Sequence, residues 1–242
     1  MHVDGLAIRM RPRVPLEAAD LGGRLCQRYA RSVYSCYAIV ALPVAALALA
    51  SFEIAEWLPA LALWWAKPWL DRTILFVLSR AAFGASTTPS ELRAAQREVW
   101  WSQLLLTLTW RRLSPWRSFT QPVYQLEGLP LRALRKRVLQ IRGKKTQAAL
   151  LMTSAFSIAE TLLTLAVASL VFWFSPQTQT PDSFFVDGAS AFTGLTLSFA
   201  YTAAVLFLEP FYVAAGFAMY LNRREQLEAW DVEQELRRAF ST

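Results

Sequence analysis

Histidine occurs once in this chain, at His2, and cysteine twice, at Cys26 and Cys36. A lone terminal imidazole without a Cys/His cluster supplies no ligand set for zinc or haem, so neither a metal nor a cofactor is expected. No histidine stands ready to serve a serine as its base, and nothing reads Gly-x-Ser-x-Gly. Gly22-Gly23 lacks the pattern of a phosphate-binding loop around it. No catalytic constellation is present, and the chain is not expected to be an enzyme. Cys26 sits in a basic flank and Cys36 in an apolar run, which does not make a disulfide framework. The most telling absence is one of place. The chain has 25 Lys and Arg, and none falls in three long stretches: Val33 to Phe52 has no charge at all, Gln147 to Phe174 only Glu160, and Gly188 to Asn222 only Glu209.

Hydrocarbon cannot hydrate charges or free backbone groups, so about 20 consecutive apolar residues read as a spanning helix. With 55% apolar residues clustered in this way, the expected fold class is an all-α integral membrane protein. About four transmembrane helices are expected, with amphipathic cytoplasmic or interfacial helices beside them. The net charge of +7 would suit nucleic acid, but the basic residues gather beside the apolar spans, where orientation signals lie, so no nucleic-acid partner is expected. Ala48-Leu49-Ala50 resembles a signal-peptidase site. The polar stretch before the run is long for a signal peptide, and an uncleaved first helix is expected.

The expected order along the single membrane domain (1–242) is as follows. Residues 1–32 form a cytoplasmic segment, and 33–52 the first span, with a mild kink at Pro43. The second span covers 57–79 and is broken near 67–72, with the break placed at the cytoplasmic interface. Residues 80–146 form cytoplasmic or interfacial helices, with 13 basic residues against Glu91, Glu98 and Glu127. Within them Thr88-Pro89-Ser90-Glu91 predicts a helix start closed by a capping box, running on into Val99-Trp100-Trp101. Leu104-Leu105-Leu106 lies on the membrane or against the bundle. The third span lies in 147–174. The fourth lies in 188–221, bent at Glu209-Pro210, and a tail helix follows in 222–242 with Val232, Leu236 and Phe240 on one side. The two external links carry acids and no basic residue. The tally predicts a multi-pass protein of a bacterial inner membrane with both termini cytoplasmic.

Three groups of side chains are candidates for function. Glu160 and Glu209 lie inside apolar runs, where a carboxylate is costly and marks a proton, ion or headgroup site; the alternatives are a structural hydrogen bond or a place at the interface. Lys67, Asp71 and Arg72 would contact a lipid phosphate or a partner, or neutralise one another at a helix end, with Lys67 and Asp71 four residues apart. Leu131, Leu134, Val138 and Ile141 recur at helical spacing among Arg132, Arg135, Lys136, Arg137, Arg142, Lys144 and Lys145. This basic amphipathic helix should lie along an anionic leaflet, each basic group giving on the order of 1 kcal/mol. The ten tryptophans suit interfacial belts and packing.

Two stretches carry a resemblance. One runs from Leu63-Trp64-Trp65-Ala66-Lys67-Pro68-Trp69-Leu70-Asp71-Arg72 through Leu75 to Arg80 and on to Phe83-Gly84. The other is Glu209-Pro210-Phe211-Tyr212-Val213-Ala214-Ala215-Gly216-Phe217, then Tyr220-Leu221-Asn222-Arg223-Arg224 and Leu227-Glu228-Ala229-Trp230-Asp231-Val232-Glu233. Together they resemble an uncharacterised family of proteobacterial inner-membrane proteins. Members are typically encoded beside MoxR-type AAA ATPases and proteins with RDD, von Willebrand A-like or transglutaminase-like domains. More distantly the second stretch is similar to the membrane domain attached to some glycerophosphodiester phosphodiesterases, whose catalytic domain has no counterpart here. The resemblance implies an association and no catalytic residues.

The function expected from these readings is a non-enzymatic membrane subunit. It would anchor or organise a multi-protein envelope assembly through its basic cytoplasmic face. Its partners would be the bilayer's anionic headgroups and other envelope proteins, with a MoxR-type ATPase among the candidates. Arg223, Arg224, Trp230 and Asp231 would make partner contacts, and an oligomer is left open. The rival is a small transporter or lipid-handling protein using Glu160 and Glu209. A closed bundle with its charges at the interfaces would favour the first, and a cavity lined by these groups from more than one helix the second.

Overall fold

A computed structural model describes residues 14–101, 107, 109, 114–143, 146–174 and 191–228. Among them every element is helical: α1 (Pro15–Arg28), α2 (Ala30–Ala50), α3 (Leu58–Ala81), α4 (Pro89–Ala94), a wide π-helical turn (Arg97–Trp101), α5 (Arg117–Leu126), α6 (Leu131–Arg142), α7 (Thr146–Phe174) and α8 (Ala191–Glu228).

The second half of α8 is the axis of the bundle. From Tyr212 to Tyr220 nine consecutive residues are buried, so this part of the helix has no solvent-facing side. Along its length α8 packs chiefly on α1, α3, α5 and α7, and less on α2 and α6. Two glycines allow the closest approaches. A Cβ on Gly22 of α1 would lie 2.2 Å from the Ala214 carbonyl oxygen, and one on Gly216 of α8 would lie 2.5 Å from Ser118 of α5. The docking of α1 departs from the expectation of a plain polar segment. Ala18, Gly22, Leu25 and Cys26 are buried at spacings of four, three and one, which is one helical stripe laid on α8.

Three expectations are corrected. The second apolar segment is one continuous helix through 67–72, not a broken one. Its Lys67, Pro68, Asp71 and Arg72 are all buried, so the charges sit inside the bundle and not at a helix end among headgroups. The helix survives because partners on other helices neutralise Lys67 and Asp71, and backbone carbonyls of the turn at 97–101 accept from Arg72. The start of α4 does have Thr88 as N-cap and Pro89 in its first turn, but no side chain caps it. Glu91 instead reaches Arg80 at the end of α3, 3.0 Å away, and a charged partner outbids a backbone amide. Nor does α4 run on into Val99-Trp100-Trp101. The chain widens there, and Arg72 donates to the carbonyl of Val99 (2.5 Å) and more weakly to that of Glu98 (3.4 Å), while Trp100 Nε1 donates to Thr73 Oγ1 (3.0 Å).

The 104–106 stretch, the second external link (175–187) and the tail helix around Val232, Leu236 and Phe240 lie outside the described residues. So do Lys144, Lys145, Trp230 and Asp231.

Three helices are long and apolar enough to cross a membrane: Ala30–Glu53, Thr146–Phe174 and Ala191–Glu228. The outward face of α7 is compatible with a membrane setting. Leu151, Ile158, Leu162 and Leu165 are each more than half exposed. Keeping such side chains in water costs about 25 cal/mol for each Å², whereas lipid tails accept them. Lys67 and Asp71 of α3 and Glu209 of α8 are instead buried within the bundle.

Candidate functional site: a buried ladder of five charges

Lys67 and Asp71 lie one turn apart on α3, Glu160 halfway along α7, Glu209 near the middle of α8, and Arg117 at the first residue of α5. Four helices thus bring five charged side chains together. They alternate in sign. Glu160 Oε2 accepts from Lys67 Nζ at 2.5 Å, and Lys67 reaches Glu209 Oε2 at 3.2 Å. Glu209 Oε1 accepts from Arg117 Nη2 at 2.7 Å, and Arg117 Nε lies 2.9 Å from Asp71 Oδ2. Each cation is flanked by two carboxylates, and Glu209 bridges both cations. Lys67 and Asp71, although four residues apart, do not pair with each other: each finds a closer opposite charge on another helix.

The first two turns of α5 explain how Arg117 is held. Gln121, one turn on, donates to the Pro68 carbonyl (3.2 Å), and Gln125, another turn on, donates to the Arg72 carbonyl (2.9 Å). Residues at i, i+4 and i+8 share a helix face, so α5 lays one polar stripe along α3. Aromatic rings complete the enclosure. Lys67 lies 5.7 Å from the centre of the Tyr201 ring and Arg117 5.4 Å from that of Tyr212, distances at which ring faces attract cations.

The ladder borders a cavity of about 400 Å³ walled by α3, α5, α7 and α8. Lys67, Arg117, Glu160 and Glu209 line it, together with hydroxyl groups from Thr153, Ser157, Thr161, Tyr201 and Tyr212. A small ligand pocket has this size. Access is uneven along the ladder: the side chain of Glu160 is 19% exposed, those of Glu209 and Asp71 3% and 0%. Glu160 is therefore the most accessible of the three carboxylates, while the cations Arg117 and Lys67 are 16% and 8% exposed. Among the described residues no group of three or more His, Cys, Asp or Glu side chains is placed to hold a metal ion.

The other candidates lie apart. Arg72 points from α3 toward the turn at 97–101, away from the ladder. On α6 the apolar residues Leu134, Val138 and Ile141 are buried, and Arg132, Arg135 and Lys136 are exposed. Arg137 is not on that exposed face: it pairs with Glu127 (2.9 Å) and with Glu228. Arg142 lies over the Trp116 ring. At the end of α8, Arg223 donates to the Ile141 carbonyl (3.3 Å) and Arg224 pairs with Glu228 (2.8 Å), so both help hold the end of α8.

Arg117, Tyr201 and Tyr212 are the members of the site that carry no strong sequence signal. Arg117 is one cation among the 13 of its segment. Its only mark is the four-residue spacing to Gln121 and Gln125. No family model, curated protein or solved structure matches this chain.

Proposed function

We propose that this chain is a small transporter or lipid-handling protein of the membrane, working through the cavity beside the charge ladder and coupled to protons or cations. The observation that carries the reading is the cavity itself. Burying ionised groups costs several kcal/mol each before pairing offsets it, and apolar packing would hold helices together as well. Charges from four helices converging on a hollow, hydroxyl-lined space have a use that a closed bundle lacks. The ladder also has three carboxylates for two cations, a formal sum of −1. The odd carboxylate is a place where a proton or cation can come and go without leaving a cation unpaired. Glu160, the most exposed of the three carboxylates, is the group it would meet. Anchoring of an envelope assembly, with a MoxR-type ATPase as one candidate partner, keeps one supporting observation: the exposed Arg132, Arg135 and Lys136 on α6.

The reading takes α3 as a fourth span. In its support, α3 has 24 residues, about 36 Å at 1.5 Å per residue, and touches both α2 and α8. It also takes the basic end of the bundle as cytoplasmic, in a bacterial inner membrane. Single-cysteine labelling tests this. Ile54, in the α2–α3 link, is 80% exposed, and Ala133 on α6 is exposed. A membrane-impermeant maleimide should modify Ile54→Cys in intact cells and Ala133→Cys only after permeabilisation. The native thiols will not interfere: both are buried, and burial pushes the Cys26 thiol up to about 12. Labelling in the reverse sense overturns the orientation.

Function is tested by flux. Proteoliposomes containing the wild type should conduct protons or alkali cations down a gradient above the empty-vesicle rate, and Glu160→Gln should abolish this while the protein remains folded. Gln keeps the hydrogen-bonding capacity and loses the exchangeable charge. A wild type no more conductive than empty vesicles to protons, sodium and potassium sinks the coupled-transport reading.

A further inference from the structure

A second cavity of about 400 Å³ lies beside the first, between α3, α5 and the end of α6. Arg117 and Ser114 line both, so the Arg117 side chain forms part of the wall between them. The two spaces differ in charge. The first has two cations and two carboxylates in its lining; among its described lining residues the second has Arg72, Arg117 and Arg142 and no acid.

The arginines are held in place. Arg72 is anchored through all three nitrogens, Nε to the Val99 carbonyl, Nη1 to Thr107 Oγ1 (3.2 Å) and Nη2 to the Glu98 carbonyl (3.4 Å). The Arg142 guanidinium carbon lies 3.8 Å from the centre of the Trp116 ring, and Trp116 is itself fixed by donating Nε1–H to the Thr146 carbonyl (3.2 Å). At that distance the guanidinium is in contact with the ring, which attracts the cation without using its N–H groups as conventional hydrogen-bond donors. Among the described residues Arg142 makes no ion pair. Guanidinium forks match the oxygens of a phosphate in geometry as well as charge. Between the arginines the walls are Pro68, Pro115 and Trp116, apolar surfaces that suit a glycerol or acyl portion better than bulk water.

We propose that this second cavity is a binding site for a phosphate-type oxyanion, carried either by the headgroup of an anionic phospholipid or by free phosphate. Arg142 grips the phosphate oxygens, and Arg72 and Arg117, both held by protein groups, add positive charge from the wall. The site stands whether or not the neighbouring cavity transports anything, since an anchoring subunit could hold a lipid here equally.

The test uses the full chain in mild detergent, with binding read by native mass spectrometry and by thermal shift. The probes are short-chain phosphatidylglycerol, the diacylglycerol of the same chains, and inorganic phosphate. Phosphatidylglycerol should bind and raise the melting temperature, and the phosphate-free diacylglycerol should not. Arg142→Gln should weaken phosphatidylglycerol binding by about ten-fold or more, the loss of a charge-assisted contact. Arg132→Gln, exposed on the same helix but outside the cavity, should leave it unchanged. Binding of phosphatidylglycerol at much lower concentration than inorganic phosphate assigns the site to a headgroup; equal or tighter binding of phosphate assigns it to the soluble anion. Should Arg142→Gln fold poorly, the wild type's preference between phosphatidylglycerol and diacylglycerol decides. The proposal is overturned if neither phosphate-bearing probe binds, if diacylglycerol binds as well as phosphatidylglycerol, or if Arg132→Gln weakens binding as much as Arg142→Gln, which would mean attraction to the basic surface alone.

Discussion

Lys67→Met will destabilise the protein far more than Glu209→Gln, although Glu209 is the more deeply buried of the two and touches both cations. The charge count sets the order. With three carboxylates and two cations, the ladder already has one carboxylate to spare. Removing Lys67 leaves Glu160 and Glu209 with only Arg117 between them and Asp71, and breaking a buried pair from one side costs roughly 3–5 kcal/mol. Glu209→Gln instead leaves Lys67 with Glu160 and Arg117 with Asp71, a neutral set of two pairs, and the amide can still accept from one cation. Arg117→Leu should behave like Lys67→Met. Adding Glu160→Gln to Lys67→Met should recover much of the loss, because the formal charge returns to that of the wild type. Thermal unfolding in mild detergent across the four variants measures this. A Glu209→Gln variant as damaged as Lys67→Met, or no recovery in the double variant, would show that contacts and not charge balance hold the site.

The apolar runs were readable because charge is missing from them, so their edges are marked by the residues they lack. The helices at 30–50 and 146–174 and most of the one at 191–228 coincide with those runs, but the run did not foretell that the last helix continues unbroken through Arg223 and Arg224 to Glu228. The lone carboxylates Glu160 and Glu209 stood out for the same reason. What spacing does not reveal is which charges meet. The i, i+4 rule offered Asp71 to Lys67, but it describes a helix in isolation, and here Glu160 and Glu209 on other helices come closer. The same local view made 67–72 a break: four polar or proline positions end a helix at a membrane surface, yet inside a bundle that supplies opposite charges they do not. Arg117 could not be picked out because a cation in a cation-rich segment differs from its neighbours only in what lies across from it. The buried stripe of α1 was present as 18, 22, 25 and 26, but its small residues weigh little against the arginines around them. A glycine reads as flexible until a facing backbone shows it to be a point of contact.

That last feature yields the other large effect. Gly216→Val will prevent native assembly of the bundle, and Gly22→Val will come close to doing so. A Cβ at position 216 meets the carbonyl carbon, Cβ and Oγ of Ser118, each at 2.5 Å, and one at position 22 meets the backbone of Ala214 and Ala215 within 2.9 Å. The obstacles are largely main chain, which a rotamer change cannot clear, so α5 or α1 must move away from α8. Even one added methyl in a packed core costs about 1–3 kcal/mol, and a branched side chain adds two more carbons at the same place. The two sites differ in consequence. Ser118 follows Arg117, so moving α5 also pulls Arg117 away from Glu209 and Asp71, adding lost ion pairs to the steric cost; α1 carries no member of the ladder. Gly216→Ala should therefore be worse than Gly22→Ala for the ladder, read as the loss of the stability gap between wild type and Arg117→Leu when each is placed on the Gly216→Ala background. Gly23, one residue from Gly22 on the same helix, is the control: nothing lies within 4 Å of its Cβ position. There alanine should be neutral or stabilise by up to about 1 kcal/mol through helix propensity. Thermal melts in detergent of Gly22→Ala, Gly23→Ala and Gly216→Ala, with Gly216→Val scored by recovery of monodisperse protein, make the comparison. If Gly216→Val assembles and melts like the wild type, α5 does not pack on α8 as described, and the placement of Arg117 in the ladder falls with it.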